Sequence, residues 1–249
     1  MIEEKDKNPR LAKNLKVVIT SAGDPRLYTQ KLKDAGLIVV HVVPSAYHAQ
    51  KAESAGVDAV VASGHEAGGH VAWDPVHSTV LTPAVRKAVK VPVLSAGGWC
   101  DGKGLVAALS LGAGAIYMGT RFIVTQESDF AQGYKEAIVK ATERDTIVTA
   151  GTFGPIRVLK NQYSMNLQNL IDSVPGTVQE KFEDPKVVEV KTDVSWADSY
   201  MRGKIENAPV LTGEVQGLID DIPTAKELID RIMREAEQIV RNKLPSFLA

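Results

Sequence analysis

The sequence predicts an α/β protein in which successive βα units build a parallel sheet, followed by a helical extension. Three observations carry that prediction. Five short, β-branched apolar runs recur at 16–20, 38–43, 58–63, 92–95 and 115–118, and segments of helical character separate them. Several runs end in glycine, as βα turns that need left-handed backbone do. Past Phe122 the alternation stops and helical patterns take over.

The elements follow in order. After the strand at 38–43, Ser45 stands at an N-cap position, and Ala46, Ala49 and Ala52 give the next helix a small packing face. The run at 58–63 reads as a strand buried on both faces, and it leads through Ser63-Gly64-His65-Glu66-Ala67 into Gly68-Gly69-His70. The run at 92–95 ends in Ser95-Ala96-Gly97-Gly98, and a helix through Leu105, Val106, Ala108 and Leu109 follows Asp101 as its cap. The last of the five runs ends in Met118-Gly119-Thr120-Arg121. Helices are expected at 134–141 and 158–170, then a charged stretch at 179–194. Thr224-Ala225-Lys226-Glu227 is a capping box that opens a final helix with Leu228, Ile232, Met233, Ala236, Ile239 and Val240 on one stripe. No flexible linker divides the chain, so residues 1–128 and an extension over 129–249 are expected to pack as one domain. A closed barrel needs eight strands, and the residues before Lys16 are too few for three further βα units.

Composition narrows the function. With 249 residues, 44% of them hydrophobic, the chain can bury a large core, and its formal net charge of -1 offers no attraction to nucleic acid or an anionic membrane. A small-molecule substrate is the expected partner. The single cysteine, Cys100, precludes an internal disulfide and fits a cytoplasmic setting. The opening Ile2-Glu3-Glu4-Lys5-Asp6-Lys7 is charged, so a soluble, unprocessed chain is expected.

Chemistry concentrates at the glycine-rich strand ends. Paired glycines before His70 let the backbone approach a ligand closely while presenting an imidazole, which can move a proton near neutral pH. Ala96-Gly97-Gly98 and Gly119-Thr120, at the ends of successive strands, form a phosphate cradle of backbone N–H groups and one hydroxyl. His65, Glu66 and His70 superficially resemble a zinc motif, but that motif sets its histidines four apart on a helix and these are five apart across Gly68-Gly69, so no metal is expected. His41 reads as a strand-end residue and His48 as a surface one. Cys100 reads as a packing residue. Arg121 would either neutralise a phosphate or make a salt bridge, and Glu66 would either exchange protons or orient backbone.

These segments, with Gly56-Val57-Asp58-Ala59-Val60-Val61-Ala62, Leu111-Gly112-Ala113 and the closing Gly213-Glu214-Val215-Gln216-Gly217-Leu218-Ile219, resemble the nitronate monooxygenase family, formerly the 2-nitropropane dioxygenases. The resemblance implies an FMN-binding fold of the TIM-barrel type, with the five βα units matching roughly the last five strands of the barrel. It implies His70 as the catalytic imidazole, Gly68 and Gly69 near the isoalloxazine, and Ala96, Gly97, Gly98, Gly119 and Thr120 around the FMN phosphate. The implied activity is oxidation of alkyl nitronates with O₂ to a carbonyl compound and nitrite. The related flavin-dependent enoyl-acyl-carrier-protein reductase supplies the alternative. Ala72 and Trp99 depart from the family pattern. The chain also begins where the family's fourth strand would lie, which implies a truncation, an open inactive sheet, or association with itself or with a complementing subunit that supplies the absent strands.

Overall fold

A computed structural model describes residues 7–247. The charged opening therefore lies outside the described residues except for Lys7. Two compact units are present, one made of the residues up to Gly64 with Val76–Ala96 and Ala107–Tyr117, the other of His65–Pro75, Gly97–Val106 and the residues from Met118 onward.

The first unit is a five-stranded parallel sheet. Its strands are β1 (Val17–Thr20), β2 (Ile38–Val43), β3 (Ala59–Ser63), β5 (Val93–Ala96) and β6 (Ala115–Tyr117), in the spatial order β1-β2-β3-β5-β6. Each begins within a residue of the expected run, because β-branched residues favour a pleat covered on both faces. One face packs on helices: Val39, Val60 and Val93 sit against Leu32, Ala49, Ala52, Leu81 and Val85. Burying a side chain of this size stabilises the fold by roughly 1.5–3 kcal/mol. Ser45 caps the Ala46–Ser54 helix, its hydroxyl accepting from the His48 amide. On the same sheet face, Ser95 and Thr82 of the Ser78–Ala88 helix share a buried hydroxyl bond of 2.6 Å. The other face buries Val40, Ala59, Val61 and Ala96. Toward the β1 edge it opens, leaving Val17, Ile19 and Ile38 about half exposed.

The second unit holds a three-stranded antiparallel sheet of β4 (Gly69–His70), β8 (Gly154–Leu159) and β7 (Thr146–Gly151), in that order. The helix expected over 158–170 begins later, at Gln162, because Val158 and Leu159 finish β8. Helical periodicity starts only with Tyr163, Leu167 and Ile171, all buried. Asn161 fixes that start: its side chain accepts from the Ser164 amide while its own amide donates to the Ser164 hydroxyl. The expected helix at 134–141 forms as Gln132–Lys140, and the charged 179–194 stretch folds into Val178–Phe182 and Pro185–Thr192. Thr224 and Glu227 cap the Ala225–Gln238 helix reciprocally. That helix buries Leu228, Ile232 and Ala236, whereas Met233 and Val240 of the expected stripe stay exposed. Among the described residues, no helix is long and apolar enough to cross a membrane.

Candidate active site

The Gly68-Gly69-His70 segment is held by backbone on two sides within the second unit. Gly69 and His70 pair with Arg157 and Ile156 of β8, and the Val71 amide donates to the Pro155 carbonyl at 3.0 Å. Across the segment lies Thr212-Gly213-Glu214. A Cβ at Gly68 would come within 2.6 Å of the Gly213 nitrogen, and one at Gly213 within 2.7 Å of the Glu66 carbonyl oxygen. Both glycines are required by this backbone-on-backbone packing. The Glu214 amide donates to that same carbonyl at 3.0 Å. Gly69 adopts φ +82°, a left-handed turn that aims the chain into the short strand bearing His70.

His70 is solvent-exposed, yet the surrounding protein desolvates it enough to lower its pKa below the ordinary 6.5, with no charged neighbour contributing. Its ring lies 6.2 Å from that of Phe153, which sits in the β7–β8 turn and is 84% exposed. Trp73 approaches the same turn at Gly154 and packs on Phe182 at 5.4 Å. A neutral imidazole thus stands beside exposed aromatic surface.

The second glycine segment also lies in this unit. Gly97 and Gly98 take successive left-handed angles of +95° and +78°, and a Cβ on Gly98 would crowd the Glu66 side chain at 3.3 Å. Ala96, in the other unit, is the buried last residue of β5. Gly119 borders open space, with nothing within 4 Å of where a Cβ would project. The buried Thr120 hydroxyl accepts from the Gly213 amide at 3.0 Å, so Gly213 links the histidine segment to the Gly119-Thr120 turn. That role leaves the hydroxyl hydrogen to donate.

Arg121 settles as a structural salt bridge. It is buried, pairs with the Asp221 carboxylate at 3.2 Å and donates to the Asp221 and Val124 carbonyls. Cys100 belongs to the apolar cluster of Val124, Tyr134 and Ile138, and burial pushes its thiol up to about 11, so it is not a ready nucleophile. Asp101 caps the Gly102–Ser110 helix by accepting from the Gly104 amide at 2.8 Å. In the first unit, buried His41 contacts the Thr20 hydroxyl at 2.7 Å, and His48 contacts Ser45. Sequence reasoning passed over Arg157, whose only signal is a lone charge inside the apolar run Pro155-Ile156-Arg157-Val158-Leu159.

Consecutive parallel βα units with glycine turns at their strand ends define an α/β protein with a parallel sheet. Comparison with known proteins gives the family: the chain belongs to the nitronate monooxygenase family, whose profile matches residues 6–235. It is 35% identical over 236 residues to a (3aS,4S,5R,7aS)-5-hydroxy-7a-methyl-1-oxo-octahydro-1H-indene-4-carboxyl-CoA dehydrogenase of Rhodococcus jostii, covering 83% of this chain and 66% of that protein. It is 31% identical to a nitronate monooxygenase of Paraburkholderia phytofirmans, over 84% of this chain and 57% of that one. The chain thus spans about three fifths to two thirds of these relatives' length. Among solved structures, FabK from Thermotoga maritima superposes with a TM-score of 0.84 at 37% identity, over 97% of this chain and 75% of that one. Nitroalkane oxidase from Streptomyces ansochromogenes gives a TM-score of 0.71 at 25% identity, over 91% and 65% respectively.

Proposed function

We propose that this chain carries the redox site of an FMN-dependent oxidoreductase that converts alkyl nitronates and O₂ to carbonyl compound and nitrite. The observation that carries the reading is His70, a solvent-facing imidazole whose pKa desolvation lowers, fixed on the two-residue strand Gly69–His70 against β8. The residues present suit a flavin phosphate. Gly97 and Gly98 take successive left-handed angles, Gly119 borders open space, and Thr120 has a hydrogen to give. Arg121 faces Asp221, so amide and hydroxyl donors rather than a side-chain cation would hold the phosphate, with Ala96 leading into the turn. Gly68 and Gly69 would bring backbone near the isoalloxazine ring.

When bound, the flavin supplies the one- or two-electron chemistry that side chains lack. His70 would donate a hydrogen bond to the nitronate oxygens, or take the α-proton where the neutral nitroalkane is the species bound, and its lowered pKa favours the neutral imidazole for either task at pH 7. Phe153 and Trp73 offer apolar contact to the substrate's carbon substituents. The lone buried thiol suits a cytoplasmic location. The half-exposed Val17, Ile19 and Ile38 support association through the β1 edge, with a second copy or a complementing chain.

A second reading, oxidoreduction of an acyl thioester in the manner of a flavin-dependent enoyl reductase, is favoured by the 35% identity to a protein named as a carboxyl-CoA dehydrogenase. Anaerobic mixing of the flavin-loaded chain separates the two. A nitronate is expected to bleach the flavin absorbance within the turnover time while NADH leaves it unchanged; bleaching by NADH and not by nitronate overturns the first reading.

A further inference from the structure

We infer that Arg157 is a positioning residue for His70, acting through the carbonyl of His65 and the pairing of β8 with β4. The inference rests on the reading of His70 as the working imidazole. Arg157 is buried, and every arm of its guanidinium is engaged. Nε and Nη2 both donate to the His65 carbonyl, at 3.1 and 3.0 Å; Nη1 donates to the Thr146 hydroxyl at 2.9 Å and pairs with Glu214 at 3.0 Å. Its own backbone faces Gly69 across the sheet. One side chain therefore ties the residue that opens the histidine segment, the strand beside that segment, and Glu214 of the segment packed across it.

An apolar residue would suit this place better if stability were the whole purpose. The neighbours Ile156 and Val158 are fully or almost fully buried, and a buried ion pair is commonly no more stabilising than a well-packed hydrophobic substitute. What the guanidinium adds is direction: a planar fork of donors that holds one carbonyl from two nitrogens, which a lysine ammonium does not reproduce. Between His65 and His70 lie Gly68 and Gly69, which have no Cβ to limit their backbone angles. A hold on the His65 carbonyl fixes where that link starts, and β8 fixes where it ends. Burial of Arg157 lowers its pKa, and the Glu214 and Glu66 carboxylates offset part of that fall.

The test compares the flavin-free full chain with its Arg157→Gln, Arg157→Lys and Glu214→Gln variants, following the His70 ring by NMR titration and backbone amides by hydrogen exchange. In R157Q and R157K the His70 pKa is expected to rise toward 6.5, and exchange at the Val71 amide to speed at least tenfold, while Val60 and Leu167 exchange as before. E214Q leaves the twin bond to His65 in place and is expected to give a smaller change. Unchanged His70 titration and Val71 exchange in folded R157K or R157Q overturns the inference. Failure of both variants to fold assigns Arg157 to stability alone and overturns it equally. None of these signals needs flavin or turnover, so they fail independently of the proposed activity, which H70A kinetics address.

Discussion

His70 illustrates how a single side chain acquires its properties from backbone. Its lowered pKa comes from desolvation by the surrounding protein, with no charged neighbour contributing, so the neutral imidazole persists at pH values where an ordinary histidine is half protonated. If the neutral form is the active one, turnover should hold steady as pH falls through 6.5 and decline only below it, with a single protonation limiting the acid limb. A pH profile of kcat with a fixed saturating substrate checks this, and a limb centred above 6.5 contradicts it. The packing role of Cys100 was legible in the sequence, and so was close backbone approach at Gly68, although the partner in the structure is the Thr212-Gly213 backbone. Arg157 was not legible, since its partners are the His65 carbonyl, Thr146 and Glu214, and the sequence separations to His65 and Glu214 hide those contacts.

At the scale of elements, the five parallel strands were readable to within a residue because β-branched runs between glycine turns leave few alternatives. The β7–β8 hairpin was not. Its strands contain Thr149, Pro155 and Arg157, which blur the alternation of a half-buried strand, and the run Val158-Leu159 merges with the helical pattern starting at Tyr163. Yet the hairpin is what gives His70 a partner strand. The Gly97-Gly98 turn makes a sharper prediction. Gly98→Ala places a Cβ at φ +78° and 3.3 Å from Glu66, so it should cost ~1–2 kcal/mol of stability and weaken FMN binding. Thermal unfolding and FMN fluorescence titration check it; unchanged melting and affinity would show that this turn is neither strained nor near the cofactor.

For the whole molecule, the first unit's sheet ends at β1 with Val17 and Ile19 about half exposed, beside Ile38 of β2. An apolar sheet edge of this kind pairs readily unless charge or proline blocks it. Sedimentation of the purified chain should therefore report a species larger than 26.8 kDa, and Val17→Lys with Ile19→Lys should return it to that mass. A monomer before and after substitution would remove the argument for association through this edge.

The central claim is that His70 moves or holds the proton in a flavin-supported oxidation, and the most direct test is the steady-state turnover of His70→Ala measured on protein shown by absorbance to retain its FMN. The predicted result is a fall in kcat of about 10²–10⁴-fold with flavin content unchanged. Turnover equal to that of the unsubstituted chain, with flavin bound, would contradict it.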